Sequence, residues 1–297
     1  MNISPYNHAM HSPFEFPRLQ TPCLMGIINV TPNSFSDGGV HLPPDAAIEH
    51  GRLLAKVGAQ ILDLGAEASS FFRPGVAPVD PTEQLRRLLP VIPPLAEMSE
   101  TAGVYLSIDT RSAAVARETL HAGAHIINDI SAATYDPDML RIVAETGAAI
   151  ILMHIGPAFP AVVTTDDPDI INSVRHYLKE RIAAAEHAGI PRNRMAIDPG
   201  VGFGKSSADN WRLALRCHEF SDLGVPVVLG ASRKRFLETE PPDDVRPHGW
   251  SDFVRRMPSG VHPRDAATTA LSATAAGRGV AIHRVHDVTL TRRALKM

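Results

Sequence analysis

Eight short apolar runs each end on or beside a polar side chain. In chain order these are Asn29, Asp63, Asp109, Asn128, His154, Asp198, then Ser232 with Arg233 and Lys234, and finally Arg284 with His286. The set divides by chemistry. Asp109, Asn128 and Asp198 supply hydrogen-bond acceptors, and the amide adds donors. Carboxylates suit the N–H-rich edge of a heterocycle such as a 2-amino-4-oxopyrimidine. Arg73, Lys205, Lys234, Arg284 and His286 are cationic or can become so, which suits a phosphate or diphosphate. A substrate with a polar ring at one end and a phosphate-like group at the other is the reading these types allow. Taken singly, an Asp after a strand is an ordinary N-cap for the next helix. Eight such positions carry more weight if one fold points them into a common mouth.

Two other readings are weaker. The string PGVGFGKSS (199–207) resembles a P-loop, but three residues rather than four separate Gly200 from Gly204-Lys205-Ser206. It reads instead as a loop lying close over a ligand, with Phe203 as a stacking face. Asp109, Asn128 and Asp198 could hold a divalent metal directly, but no His or Glu joins them at clear ligand spacing.

A ring of this kind needs elements that aim every strand end at one place. The runs are 23–29, 59–63, 104–109, 124–129, 148–154, 194–198, 226–232 and 280–286. They are nearly continuous in apolar residues, as in a parallel sheet buried on both faces. Helix-period segments lie between them, for example Ile170, Ile171, Val174, Tyr177, Leu178, Arg181 and Ile182. Asp80-Pro81, Asp136-Pro137 and Asp167-Pro168 each predict an Asp N-cap with Pro in the first helical position. Glu83 adds a capping-box partner for Asp80. Gly58, Gly123, Gly147 and Gly189 predict helix ends.

Eight βα units in about 275 residues predict a single-domain α/β protein, a (β/α)8 TIM barrel. The runner-up, an open doubly wound sheet, usually shows a Gly-rich first turn, and none follows Asn29. Residues 1–20 are expected to form a poorly ordered N-terminal appendage to a barrel over 21–297. Residues 238–262 are expected to form a long loop.

The 297 residues are 44% hydrophobic and 21% charged, which is enough apolar material for a sizeable core. A net charge of −3 with no basic block points away from nucleic acid and from anionic membranes. Cys23 and Cys217 make neither a disulfide framework nor a zinc set, in keeping with a reducing cytosol. No signal peptide or spanning segment is visible, so a cytoplasmic location is expected.

The string LMGIINVTPNSFSDGG (24–39) resembles the signature of the dihydropteroate synthase family. SIDT (107–110), HIINDI (125–130), LMH (152–154), IDPGVGFGK (197–205), SRK (232–234) and RVHD (284–287) continue the resemblance in order along residues 21–290. The resemblance implies condensation of a dihydropterin methyl diphosphate with 4-aminobenzoate, on the folate pathway, through a dissociative step. It implies that Asp109, Asn128, Asp198 and Lys234 bind the pterin, with Asp63 and Met153 in the substrate-binding set. Asn29, Arg73, Arg284 and His286 would hold the diphosphate, with Asn29 next to an accompanying Mg²⁺. Phe203, Lys205, Ser232 and Arg233 would lie around the aminobenzoate. Catalysis would rest on Asp109, Lys234 and Arg284. A homodimer is also implied. The alternatives are a non-catalytic pterin-binding paralogue and a pterin-binding methyltransferase module, whose usual corrinoid domain is absent here.

Two loops depart from the family pattern. Asn33 stands where the first loop usually has Asp. In the second loop, Ala68-Ser69-Ser70-Phe71-Phe72 replaces a usual Ser-Thr pair before Arg73-Pro74-Gly75. Phe71 and Phe72 would be a loop anchor or subunit contact. Alternatively, they would be a rim that obstructs sulfonamides, which extend beyond the outline of 4-aminobenzoate.

Overall fold

The computed structural model describes residues 14–30, 43–67, 78–161, 163–250 and 260–297. Eight parallel strands run in the order β6-β5-β4-β3-β2-β1-β8-β7. They are β1 (Cys23–Asn29), β2 (Ile61–Gly65), β3 (Tyr105–Asp109), β4 (Ile126–Asp129), β5 (Ala149–Met153), β6 (Met195–Asp198), β7 (Val228–Leu229) and β8 (Ile282–Val285). A parallel bridge between Ile197 and Val227 joins the two ends of the sheet. The fold is a single-domain (β/α)8 barrel. The seventh strand is shorter than its apolar run, because Pro226 lacks an N–H and Gly230 brings no side chain to pack.

Strand parity sorts the apolar residues into two cores. Cys23, Met25, Ile61, Ile126, Ala149, Ile151, Ala196, Val228 and Ile282 point inward and fill the barrel. Alternate residues such as Leu24, Ile28, Leu62, Leu64, Leu106, Ile108 and Ile127 point outward under the helices. The helices are α1 (Pro44–Lys56), α2 (Pro81–Leu88), α3 (Ile92–Ala102), α4 (Ala113–His121), α5 (Met139–Thr146), α6 (Ile170–His187), α7 (Ser207–Arg216), α8 (Pro263–Ala276) and α9 (Val288–Leu295).

Part of the expected appendage belongs to the barrel. Phe14, Phe16 and Leu19 are buried with the inward residues. The Phe14 ring lies 4.5 Å from that of Tyr105, at the start of β3. The segment therefore closes the barrel floor, opposite the mouth formed by the strand ends. The segment after β7 is turns and coil over residues 239–249, as expected of a long loop. It starts with a 3-10 turn over Arg235–Glu238, and Trp250 is buried against Trp211 at 5.2 Å.

The helix-start expectations hold at one of three places. Asp80 accepts the Thr82 N–H at 2.8 Å and caps α2. Glu83, however, turns to Arg86 and Arg87. Asp136 and Asp167 precede their helices by a further turn, because α5 begins at Met139 and α6 at Ile170. Asp136 instead accepts the N–H of Ala113, the first residue of α4, at 2.8 Å. Asp167 accepts the Asp169 N–H at 2.8 Å. Gly58, Gly123, Gly147 and Gly189 all take positive φ at helix ends, as expected.

Candidate active site

The strand register puts Asn29, Gly65, Asp109 and Asn128 side by side along one row at the mouth. Asp63 was expected at a strand end, but β2 continues to Gly65. Asp63 therefore lies one inward level deeper, and it is completely buried.

Three charged groups and an amide meet at that level. Arg284 donates from Nε to Asp63 Oδ2 at 2.6 Å and from Nη2 to Asp109 Oδ2 at 2.8 Å. Asn128 donates from Nδ2 to the same Asp63 oxygen at 3.3 Å. This bond turns the Asn128 carbonyl oxygen away from Asp63, as an acceptor for a ligand. Burial pushes the Asp109 carboxyl up to about 7, with Arg284 opposing and Asp63 adding to the rise.

Asp198 ends β6 and accepts the Gly200 N–H at 2.6 Å. Burial raises its pKa against the pull of Lys234. Lys234 donates to the Val201 carbonyl, and its ammonium lies 4.3 Å from the centre of the Phe203 ring. Burial lowers the Lys234 ammonium to about 7, although Asp198 favours its charge. Phe203 packs with Met153 and Ile130 to make an apolar wall. The site thus joins a carboxylate and amide floor to an apolar wall topped by a lysine.

Other expected residues turn elsewhere. The ring position assigned to His154 belongs to Met153, which has the inward parity. His154 lies edge-on to Tyr177 of α6 at 4.9 Å, and burial lowers it to about 3. The Arg233 guanidinium forms a bidentate pair with Asp265 of α8, at 2.7 and 3.0 Å. Lys205 directs its ammonium to backbone carbonyls. His286 is not the cation that its type allowed. Burial, reinforced by Arg233 and Arg284, lowers it to about 3. The Ser232 hydroxyl oxygen accepts the His286 backbone N–H at 3.1 Å and lies 2.9 Å from Nδ1.

Arg73, Phe71, Phe72 and Asn33 lie outside the described residues. Among the described residues, no group of three or more His, Cys, Asp or Glu could hold a metal ion. Asn29 stands at the mouth, at the end of β1. A single amide oxygen fits Mg²⁺ arriving with a diphosphate, because this ion keeps several waters and is usually held by one or two protein ligands plus substrate phosphates.

Gly230 was missed by sequence reasoning. It follows β7 at the inward parity, and an added Cβ would lie 3.1 Å from Asp198 Oδ2 and 3.8 Å from Arg284 Cδ. Its signal was the two-residue alternation through Val228, Gly230 and Ser232, with glycine at the mouth level.

Residues 25–286 match the family model described as pterin binding enzyme. The dihydropteroate synthase of Mycobacterium leprae is 41% identical over 276 residues, covering 92% of this chain and 91% of that protein. The structure of Xanthomonas albilineans dihydropteroate synthase with 4-aminobenzoic acid is 41% identical, with a TM-score of 0.74, over 93% of this chain and 91% of that one. The Xanthomonas albilineans enzyme in complex with 7,8-dihydropteroate is 38% identical over the same shares, with a TM-score of 0.70.

Proposed function

The chain belongs to the dihydropteroate synthase family, and on that premise we propose that it is a transferase joining 7,8-dihydropterin-6-ylmethyl diphosphate to 4-aminobenzoate. The products are 7,8-dihydropteroate and diphosphate, on the folate pathway. The observation that carries the reading is the buried network of Asp63, Asp109, Asn128 and Arg284 facing the Lys234–Phe203 wall.

Asp109, Asp198 and the Asn128 carbonyl accept N–H groups of the pterin, while Lys234 donates to a ring acceptor. This pairing fixes the ring and places its methylene carbon at the mouth. The C–O bond to diphosphate breaks first, and the electron pair leaves with the oxygen. The resulting carbocation is delocalised into the dihydropterin. The neutral arylamine then attacks with its free lone pair and loses a proton, so no general base is needed beforehand. Met153 and Phe203 flank the approach of the aminobenzoate ring.

Charge on the departing diphosphate is met by Arg284 and by Arg73, with the neutral His286 ring beside them. Preorganised contacts of this kind typically contribute about 3 kcal/mol each to the transition state. Asn29 would supply one oxygen to a Mg²⁺ accompanying the diphosphate substrate, and that ion would offset part of the diphosphate charge when bound. No helix among the described residues is long and apolar enough to cross a membrane. The reading also takes the protein to be a cytoplasmic homodimer, as the family resemblance and the cysteine usage imply.

The deciding experiment incubates the purified protein with both substrates and Mg²⁺ and detects 7,8-dihydropteroate by mass. A protein that binds the pterin diphosphate but forms no product would be a non-catalytic paralogue, and the proposal would fall.

A further inference from the structure

Lys205 has no proton to spare for a ligand. An ammonium carries three N–H donors. Those of Lys205 meet the carbonyls of Gly200 at 2.6 Å, Phe203 at 3.1 Å and His154 at 3.3 Å. The residue is buried. Two of these carbonyls belong to the loop after β6, and the third ends the β5 segment on the neighbouring strand.

The same two loops are joined by backbone. Gly156 N–H donates to the Phe203 carbonyl at 3.1 Å, and His154 N–H donates to the Asp198 carbonyl at 3.0 Å. Gly200 makes the approach possible. It takes φ +68°, and an added Cβ would fall 1.7 Å from the His154 oxygen. Asn210 of α7 fastens the outer side, accepting the Gly202 N–H at 2.6 Å and donating to the Lys205 carbonyl at 3.3 Å. The loop is thus a cup of carbonyls closed on a cation that the chain itself supplies.

We propose that Lys205 is a positioning residue for the second substrate: its ammonium clasps the β5 and β6 loops together and thereby sets the Met153–Phe203 wall, without touching diphosphate. Each end of the clasp adjoins a wall residue. The Phe203 carbonyl is bound directly, and the His154 carbonyl follows Met153. The kinetic part of this proposal rests on the condensation reading above, whereas the clasp itself does not.

The test uses full-length Lys205→Met and Lys205→Arg. Hydrogen–deuterium exchange of peptides spanning 154–159 and 200–204 reads the clasp independently of turnover. Steady-state kinetics and calorimetric titration of inorganic diphosphate read its consequence. Both variants are expected to exchange faster in both loops. Both should raise the Michaelis constant for 4-aminobenzoate roughly tenfold, from the loss of charge-assisted hydrogen bonds, while the diphosphate dissociation constant stays within about threefold of wild type. Arginine should fail because its planar fork does not match three converging carbonyls. Unchanged exchange, a parallel loss of diphosphate affinity, or full restoration by arginine would each overturn the proposal. If neither variant folds, Lys205→Gln, which keeps two of the three donors, is measured in the same way. A wild-type protein that makes no dihydropteroate would defeat the condensation reading but leave the exchange result standing.

Discussion

Arg284 and Asp63 form an ion pair of 2.6 Å inside the barrel, although 221 residues separate them in the chain. Only closure of the sheet through β1 and β8 brings them together. The guanidinium is forked, with Nε on Asp63 and Nη2 on Asp109. It therefore connects a deep, completely buried carboxylate to one at the mouth. Asp63 also holds the Asn128 amide, so one buried oxygen orients both the Arg284 guanidinium and the Asn128 side chain.

This geometry separates charge from shape at position 284. Arg284→Ala is expected to lower turnover on the order of 10²-fold, the cost of removing one preorganised contact. Arg284→Lys keeps the charge but cannot bridge two carboxylates in fork geometry, so it should recover less than about tenfold of that loss. Single-turnover rates measure both. Near wild-type turnover in the alanine variant would remove Arg284 from the reaction.

Gly230 makes a different prediction, because its role is to leave space. A methyl group there would press on Asp198 Oδ2 at 3.1 Å and lie near Arg284. Gly230→Ala should weaken binding of the pterin substrate by roughly 1–3 kcal/mol, the usual range for overpacking a fitted site. The Michaelis constant for the pterin diphosphate reads this, alongside circular dichroism to show an intact fold. An unchanged constant would mean that the ring does not lie over this strand end.

Most of the barrel was legible because both-face burial leaves a strong record of apolar runs, and the βα repeat recurs eight times. The inward floor residues Asp109, Asn128 and Asp198 were legible for the same reason: Asp109 and Asp198 close their runs, and Asn128 stands one residue before the end of its own. Asp63 was misplaced by one level because the run was read as ending at a charge, whereas the backbone pairing continues to Gly65. His154 entered the ring of strand ends because polarity was weighed before parity, whereas Met153 was named only through the family resemblance. The Phe14–Leu19 floor was missed because its aromatic residues have neither helical nor strand period, so their burial is decided by the barrel rather than locally. Lys205 and His286 were read as available charges, and Arg233 was placed beside the aminobenzoate. Only three-dimensional structure shows a carbonyl cup, an aspartate partner and a desolvated imidazole.

His283 provides a pH prediction whose sign is fixed. It is completely buried, and burial lowers it to about 4 despite a favourable contact with the Val280 backbone. The unfolded chain takes up this proton near pH 6.5, while the folded protein resists it. The stabilising effect of a neutral His283 is thus fully present above about pH 6.5 and is lost as pH falls toward 4. Asp109 and Asp129, raised to about 7 and about 6 by burial, act in the opposite sense, so the total stability is a poor readout. The difference between wild type and His283→Leu isolates the histidine. That difference should move in favour of leucine by up to about 1.4 kcal/mol per pH unit below 6.5. Urea midpoints between pH 7.5 and 4.5 test it, and a difference that stays constant with pH would refute the assignment.

The second loop carries the last prediction. Its described flanks place its base at the mouth: Gly65 pairs with Asp109 in register, and Glu67 accepts the Val79 N–H at 2.8 Å across the neck. Residues 68–77, with Phe71 and Phe72, lie between these anchors and outside the described residues. A loop rooted there is within reach of the aminobenzoate region. If the two rings obstruct the part of a sulfonamide that extends beyond 4-aminobenzoate, replacing either with Ala should tighten sulfonamide inhibition by a factor of roughly ten or more. The Michaelis constant for 4-aminobenzoate should stay nearly unchanged, because steric selection at this scale contributes about 1–3 kcal/mol or more when the loop is rigid. If the rings instead anchor the loop or contact a second subunit, both constants should move together, or neither should move while thermal stability or the sedimentation coefficient falls. Inhibition constants and Michaelis constants measured side by side on Phe71→Ala and Phe72→Ala distinguish the two roles.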